Sequence, residues 1–142
     1  MADTLQIEIV TPDRLLVSDQ ATEAQVPGIS GYLGILPGHA PLITELGSGE
    51  FSYRRPDGSI QRLAIHWGFA EVLPDKVTVL AERAEKAAEI DVEGAKRQRQ
   101  MAEDQMNDPN ANREEALKLF ERANTRLEVA GRHDNSMLNM VP

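Results

Sequence analysis

The sequence predicts a β domain followed by two α-helices, and three observations support this division. Short segments before residue 82 alternate apolar and polar side chains, which is typical of strands with one buried face. Eight of the ten glycines and six of the eight prolines also lie before residue 82, between those segments. After that point Ala, Glu, Arg, Lys and Gln dominate, and all of these are good helix formers. Short strands separated by turns indicate a sandwich or a barrel.

The strands are best defined where turn residues separate them. Residues 5–9, Leu-Gln-Ile-Glu-Ile, alternate strictly and predict a strand with one wet face. Pro-Asp-Gly-Ser at residues 56–59 predicts a hairpin turn. Pro-Asp-Lys at residues 74–76 predicts a second tight connection, because strand-like segments lie on both of its sides.

The first predicted helix begins after Asp91, whose carboxylate can cap its free N–H groups, and runs to about Met106. Residues 107–110, Asn-Asp-Pro-Asn, then break the helix. Residues 82–132 hold 12 acidic and 10 basic side chains in mixed order, which is typical of solvated helix faces.

The second predicted helix begins at Asn112, which forms a capping pair with Glu115 three residues later, and Gly131 is placed to end it. Its apolar residues recur at helical spacing: Ala116, Leu117, Phe120, Ala123, Leu127 and Ala130. The pair of helices has too little apolar surface to be stable alone. We therefore expect a β domain over residues 1–86, a helical hairpin over residues 87–132 and a flexible tail over residues 133–142.

The composition excludes several classes of protein. The 142 residues suit one average domain, or a small domain with an appendage. The absence of cysteine excludes disulfide scaffolds, thiol nucleophiles and Cys-based metal centres. A net charge of −8 argues against nonspecific binding of nucleic acid. No apolar stretch approaches the roughly 18–20 residues of a membrane span, and no signal peptide is visible at the start, so we expect a cytosolic protein.

No set of residues predicts catalysis. The histidines His39, His66 and His133 lack metal-ligand spacing. The glycines of residues 28–34 do not form a phosphate-binding loop, because the Gly-Lys-Ser/Thr ending is absent. These observations favour a binding or regulatory subunit. The alternative is a stand-alone ligand-binding or enzymatic β-barrel with a helical arm for oligomerisation.

Several segments resemble the epsilon subunit of F-type ATP synthases. The most specific is Gly-Ile-Leu-Pro-Gly-His-Ala-Pro-Leu-Ile-Thr, within residues 27–44. The similarity runs in order over nearly all of residues 3–132, and its other blocks are residues 68–72, 77–82, 90–91 and 123–130.

The resemblance implies a flattened β-sandwich of about ten strands and an antiparallel two-helix hairpin. It implies a non-catalytic rotor subunit of the central stalk, which couples the catalytic headpiece to the proton- or ion-translocating c-ring. The implied partners are the gamma subunit, the c-ring and the alpha/beta headpiece. The implied location is peripheral, on the cytoplasmic face of the bacterial plasma membrane, with only indirect membrane contact. The hairpin would lie folded or extend into the headpiece and block ATP hydrolysis.

The resemblance also implies two sets of site residues. Those implied to contact the c-ring or gamma are Gly31, Tyr32, His39 and Leu42, and Tyr32 stands where relatives often carry an acidic residue. The positions that match a regulatory ATP site in bacterial relatives are Glu85, Asp91, Arg122 and Arg126. At the arginine of that family motif this chain has Gly94. Because Gly94 cannot pair with phosphate, we expect ATP binding to be weak or absent and predict no cofactor.

Overall fold

The computed structural model describes the backbone of residues 3–139 and the side chains of residues 3–133. The chain divides into two compact units, Met1–Glu85 and Lys86–Pro142. The first unit contains the strands and the second the helices. The predicted order of a β part followed by an α part is therefore confirmed.

The β unit is one seven-stranded sheet in the order β2-β1-β7-β6-β5-β3-β4. The strands are β1 Leu5–Val10, β2 Leu15–Ala21, β3 Glu23–Gly28, β4 Gly31–Ile35, β5 Leu42–Arg54, β6 Ile60–Leu73 and β7 Lys76–Lys86. β1 pairs antiparallel with β2 and parallel with β7. The predicted turns at residues 56–59 and 74–76 fall between β5 and β6 and between β6 and β7, as expected.

The structure has fewer strands than the roughly ten that the resemblance implies, while the β-sandwich class is confirmed. The reason is the length of β5 and β6, which contain 13 and 14 residues. They stay paired from Leu42↔Val72 to Arg54↔Ile60, so each long segment counts as a single strand.

β6 bends at Trp67 and Gly68, whose φ angles are 58° and 118°. Before the bend Leu63 and Ile65 belong to the hydrophobic core cluster, although Ala64 and His66 between and after them are also buried. After the bend Ala70 and Val72 belong to that cluster, so the residues that face it change from odd to even numbers, as a bend in a strand of period two produces. A Cβ at Gly68 would overlap the carbonyl oxygen of Leu80 on the neighbouring strand, so only glycine fits there.

The core lies within the β unit. It includes Leu5, Ile7 and Ile9, which are fully buried, as their alternation predicts. At the margin of the core, the hydroxyl of Tyr53 and Nε of Arg55 donate to Asp19 Oδ2 over 2.9 and 2.7 Å. This cluster joins the edge strand β2 to the end of β5, which lie far apart in the order of the sheet.

The helical unit begins with a short 3-10 turn at Ala87–Glu89 and continues with α1 Val92–Met106 and α2 Arg113–Asn139. Both predicted N-caps are confirmed: the N–H of Gly94 donates to Asp91 Oδ1 over 2.9 Å, and that of Glu115 to Asn112 Oδ1 over 3.2 Å. The buried apolar residues of the two helices are mainly alanines: Ala95, Ala102, Ala116, Ala123 and Ala130, together with Val129. Leu117, predicted in the apolar stripe, is 42% exposed.

The prediction that Gly131 ends the second helix is wrong, because α2 continues through it to Asn139. Gly131 does not adopt the positive φ of a helix-ending glycine. A glycine inside a helix costs only about 1 kcal/mol relative to alanine, which helical hydrogen bonds on both sides outweigh. The predicted tail from residue 133 is thus helical as far as it is described, and its last three residues lie outside the described residues. No helix in the described part is long and apolar enough to cross a membrane.

Candidate functional site

The turn between β3 and β4 places the first pair of predicted contact residues. Gly31 begins β4 with φ 141°, and Tyr32 follows it with 52% of its surface exposed. The Tyr32 hydroxyl accepts a hydrogen bond from the N–H of Glu50 over 3.0 Å. A Cβ at Gly49 would lie 2.8 Å from this hydroxyl oxygen, so the glycine makes room for the ring. Tyr32 is therefore held across β5 while one side stays open.

The second pair lies around the loop between β4 and β5. His39 Nδ1 is 2.7 Å from the carbonyl oxygen of Ala40, a bond within its own loop. The N–H of Gly38 donates to Pro74 O over 2.7 Å and ties this loop to the β6–β7 turn. Leu42 is partly buried and packs against the core.

The structure does not gather the four predicted contact residues into one cluster. The Tyr32 hydroxyl is bonded to Glu50 of β5, whereas Leu42 is the first residue of β5, eight positions before Glu50. Eight residues of strand span roughly 20 Å or more. A partner that contacts both pairs of residues must therefore cover a broad surface, because the four residues do not line one pocket.

The residues assigned to a nucleotide site belong to both compact units of the chain. Asp91 uses its carboxylate to cap α1, and Arg97 Nη2 approaches the same carboxylate at 3.8 Å. A Cβ at Gly94 would overlap the Asp91 carboxylate, so that side chain would have to rotate if Gly94 were replaced. Glu85 is the last residue of the β unit, in another compact unit from Asp91.

Arg122 and Arg126 meet at Gln98 of α1. The Gln98 oxygen accepts from Arg126 Nη1 over 3.4 Å in one amide orientation. In the opposite orientation it accepts from Arg122 Nε and Nη2 over 3.2 and 2.8 Å. Gln98 is seven residues from Asp91, or about 10 Å along a helix. The structure thus brings the two arginines together, and the group that they share is the Gln98 side chain.

The β unit also carries an apolar strip, formed by Ile43, Phe69 and Leu80, that was not predicted from the sequence. These side chains are 72%, 55% and 56% exposed, and they lie on the adjacent strands β5, β6 and β7. The pairs Ile43↔Glu71 and Glu45↔Phe69 put the first two on the same face. Leu80 lies between the buried Val79 and Ala81, so strand alternation could have identified this one residue as an exposed hydrophobic.

Metal-binding potential is low in the described residues. No group of three or more His, Asp or Glu side chains there could hold a metal ion. His66 is 2% exposed, and its Nδ1 is 2.9 Å from Ser48 Oγ, which is a structural setting for a histidine.

The fold and these surfaces define a class of protein, a β-sandwich joined to a C-terminal helical hairpin. Residues 4–87 match the family model of the ATP synthase, Delta/Epsilon chain, beta-sandwich domain. The ATP synthase epsilon chain of Koribacter versatilis is 60% identical over 75% of this chain and 74% of its own length. That of Solibacter usitatus is 46% identical over 92% of this chain and 98% of its own length. This chain belongs to the family of ATP synthase epsilon chains.

Solved structures agree with this fold. One match is a chain of the Euglena gracilis mitochondrial ATP synthase, in an OSCP/F1/c-ring structure, with a TM-score of 0.81 and 21% identity over 92% of this chain and 82% of that chain. Another is a chain of the Tetrahymena thermophila mitochondrial ATP synthase, in a central stalk/c-ring structure. Its TM-score is 0.60 at 11% identity, over 89% of this chain and 96% of that chain.

Proposed function

We propose that this chain is a non-catalytic central-stalk subunit of an F-type ATP synthase, coupling the headpiece to the ion-translocating c-ring. Its partners are the gamma subunit, the c-ring and the alpha/beta headpiece. This assigns it to the cytoplasmic face of the bacterial plasma membrane, reached only through the complex. Family membership supports the assembly, and the apolar strip of Ile43, Phe69 and Leu80 is the observation that supports a protein partner.

The strip is suited to a permanent protein contact. Three large side chains on three neighbouring strands are each more than half exposed. Isolated exposed apolar residues are common, but a group of them on neighbouring strands marks an interaction surface. We assign this strip to gamma and the loop surface of Tyr32 and His39 to the c-ring.

The hairpin is assigned the regulatory part of the function. Because its buried apolar residues are mostly alanines, each contributes less burial energy than leucine or phenylalanine would. Such a unit can leave one set of contacts for another at modest cost. We further propose that ATP binds weakly or not at all, because Gly94 offers no guanidinium and the Gln98 oxygen already accepts from Arg122 or, in the opposite amide orientation, from Arg126.

The docking proposal is tested by co-purification of the chain with gamma. Phe69→Asp places a charge in the strip and should abolish or strongly reduce recovery of gamma. Ile60→Asp is the matched control, because Ile60 is on the same strand, is 43% exposed and lies outside the strip. Equal recovery of gamma with both variants would contradict the proposal. A stable homo-oligomer that does not bind gamma would also contradict it.

The regulatory proposal is tested by removing residues 88–142. The shortened chain should still assemble and support coupling, while the rate of ATP hydrolysis by the complex changes. Loss of assembly would show that the helices are structural. Calorimetry with ATP and the isolated full chain should give no tight binding, and a strong binding isotherm would refute that part.

A further inference from the structure

The buried apolar residues of α1 and α2 are mainly small in the described part of the helices. Ala95 and Ala102 of α1 and Ala116 and Ala123 of α2 are fully buried. Each buried methyl group removes little apolar area from water. A polar bridge between the helices therefore has a larger share in holding them together than it would in a leucine-rich pair.

Gln98 forms that bridge. It is half-buried on α1, and its amide lies within hydrogen-bond distance of Arg122 and Arg126 of α2, which are also half-buried residues. With its oxygen toward Arg122, it accepts two N–H groups over 3.2 and 2.8 Å. With its oxygen toward Arg126, it accepts one over 3.4 Å. The first arrangement has more and shorter bonds and is favoured, since the orientation of an amide is assigned from its hydrogen bonds.

A neutral amide suits a contact that must open. Hydrogen bonds to a charged donor are stronger than those between neutral groups. A glutamate would form a full ion pair with the same arginines, and a leucine would form no polar contact. Glutamine lies between these two extremes, so it holds α1 against α2 with intermediate strength.

We propose that Gln98 is a latch that keeps the helical hairpin closed, acting as a built-in acceptor for Arg122, with Arg126 as the alternative donor. The closed hairpin consequently needs no bound anion between the helices. Closure itself does not depend on the function proposed above. Only the consequence for ATP hydrolysis rests on that function.

The absence of cysteine allows a direct measurement of closure in the full-length chain. Spin labels at Arg99→Cys on α1 and Glu114→Cys on α2 use exposed positions outside the bridge. Their distance distribution gives the ratio of open to closed hairpin. Wild-type Gln98 should give one dominant short distance, which does not change when inorganic phosphate is added.

Three variants should change the open-to-closed ratio in different ways. Gln98→Leu keeps helix propensity similar and should raise the open-to-closed ratio about tenfold, equivalent to about 1.4 kcal/mol. Gln98→Glu should lower that ratio. Gln100→Leu is the matched control, because Gln100 is exposed and bonds Asp104 within α1 over 3.0 Å, so its distribution should match that of wild type.

The latch is refuted if Gln98→Leu and Gln100→Leu give the same distribution, or if Gln98→Glu opens the hairpin. A wild-type distribution that closes only when phosphate is added would also refute it. ATP hydrolysis by the assembled complex separates the two proposals. An altered distance distribution with unaltered hydrolysis would support the latch and contradict the regulatory function.

Discussion

Replacing Tyr53 with phenylalanine tests how the β-sandwich is closed at its margin. Tyr53 is 3% exposed, and its hydroxyl donates to Asp19 across the sandwich over 2.9 Å. Burial, followed by the hydrogen bond to Asp19, raises the pKa of Tyr53 to about 12. Burial also raises the pKa of Asp19, but hydrogen bonds from Arg55, Tyr53 and the Gln20 N–H outweigh it and leave this pKa below its ordinary value.

The expected loss in the free energy of unfolding depends on the hydrogen bonds that Asp19 keeps. A hydrogen bond to a charged group contributes about 1.5–3 kcal/mol. After Tyr53→Phe, Asp19 keeps the Arg55 bond at 2.7 Å and the Gln20 N–H at 2.9 Å, and its side chain is 29% exposed. Solvent and these remaining donors compensate in part, so we expect a loss of about 1–2 kcal/mol in the free energy of unfolding.

The stability difference between wild type and Tyr53→Phe should depend on pH, and the two pKa shifts give its direction. Because the pKa of Asp19 is lowered by folding, its contribution is present above the ordinary value of 3.8 and is lost as the pH falls through the folded pKa. Because the pKa of Tyr53 is raised, its contribution is present below about 10 and is lost as the pH rises through about 12. Between these limits the difference between wild type and Tyr53→Phe should be constant.

Urea unfolding can be followed by the fluorescence of the single tryptophan, Trp67, which lies in the β unit. Unfolding free energies are compared at pH 7 and at acid pH for wild type, Tyr53→Phe and Asp13→Asn. Asp13 is an exposed turn carboxylate and serves as the control, with an expected effect below about 0.5 kcal/mol. A Tyr53→Phe variant as stable as wild type at pH 7, or a loss that is undiminished once Asp19 is protonated, would refute the reasoning.

Three further substitutions test other parts of the fold. Gly68→Ala should destabilise the β unit by about 2–4 kcal/mol in urea unfolding, because its φ of 118° and the Leu80 carbonyl exclude a Cβ, and a neutral effect would contradict this. Asp91→Ala should lower stability by about 1 kcal/mol and reduce helical circular dichroism, since it removes the cap of α1; unchanged thermal unfolding would argue against that role. Tyr32→Phe removes the oxygen that accepts from the Glu50 N–H, so hydrogen exchange at this amide should accelerate about fivefold, and unchanged exchange would show that the bond is unimportant.

Features set by neighbouring residues were predictable from the sequence. Asp91 and Asn112 cap the two helices, and the turn at residues 56–59 connects two antiparallel strands. These signals need only a few consecutive residues, since a cap or turn is a bond between groups three or four positions apart. The alternation of residues 5–9 likewise identified three fully buried side chains.

Features that depend on contacts between distant residues were not predictable. The apolar strip arises because β5, β6 and β7 lie side by side and each exposes one large apolar residue. The assignment of Arg122 and Arg126 followed from resemblance, whereas their contact with Gln98 requires the two helices to face each other. The continuation of α2 beyond Gly131 opposed a local stop signal and prevailed through the hydrogen bonds of the whole helix.

The sequence by itself therefore determined the order of the elements, most turns and caps, the absence of thiol chemistry and, through specific motifs, the family. Tertiary structure decided where β6 bends, which apolar residues face outward and which side chain the paired arginines contact. The physical reason is the distance along the chain over which each interaction acts. Propensity and capping act within a turn of the chain, whereas burial and side-chain bridges depend on elements that only folding brings together.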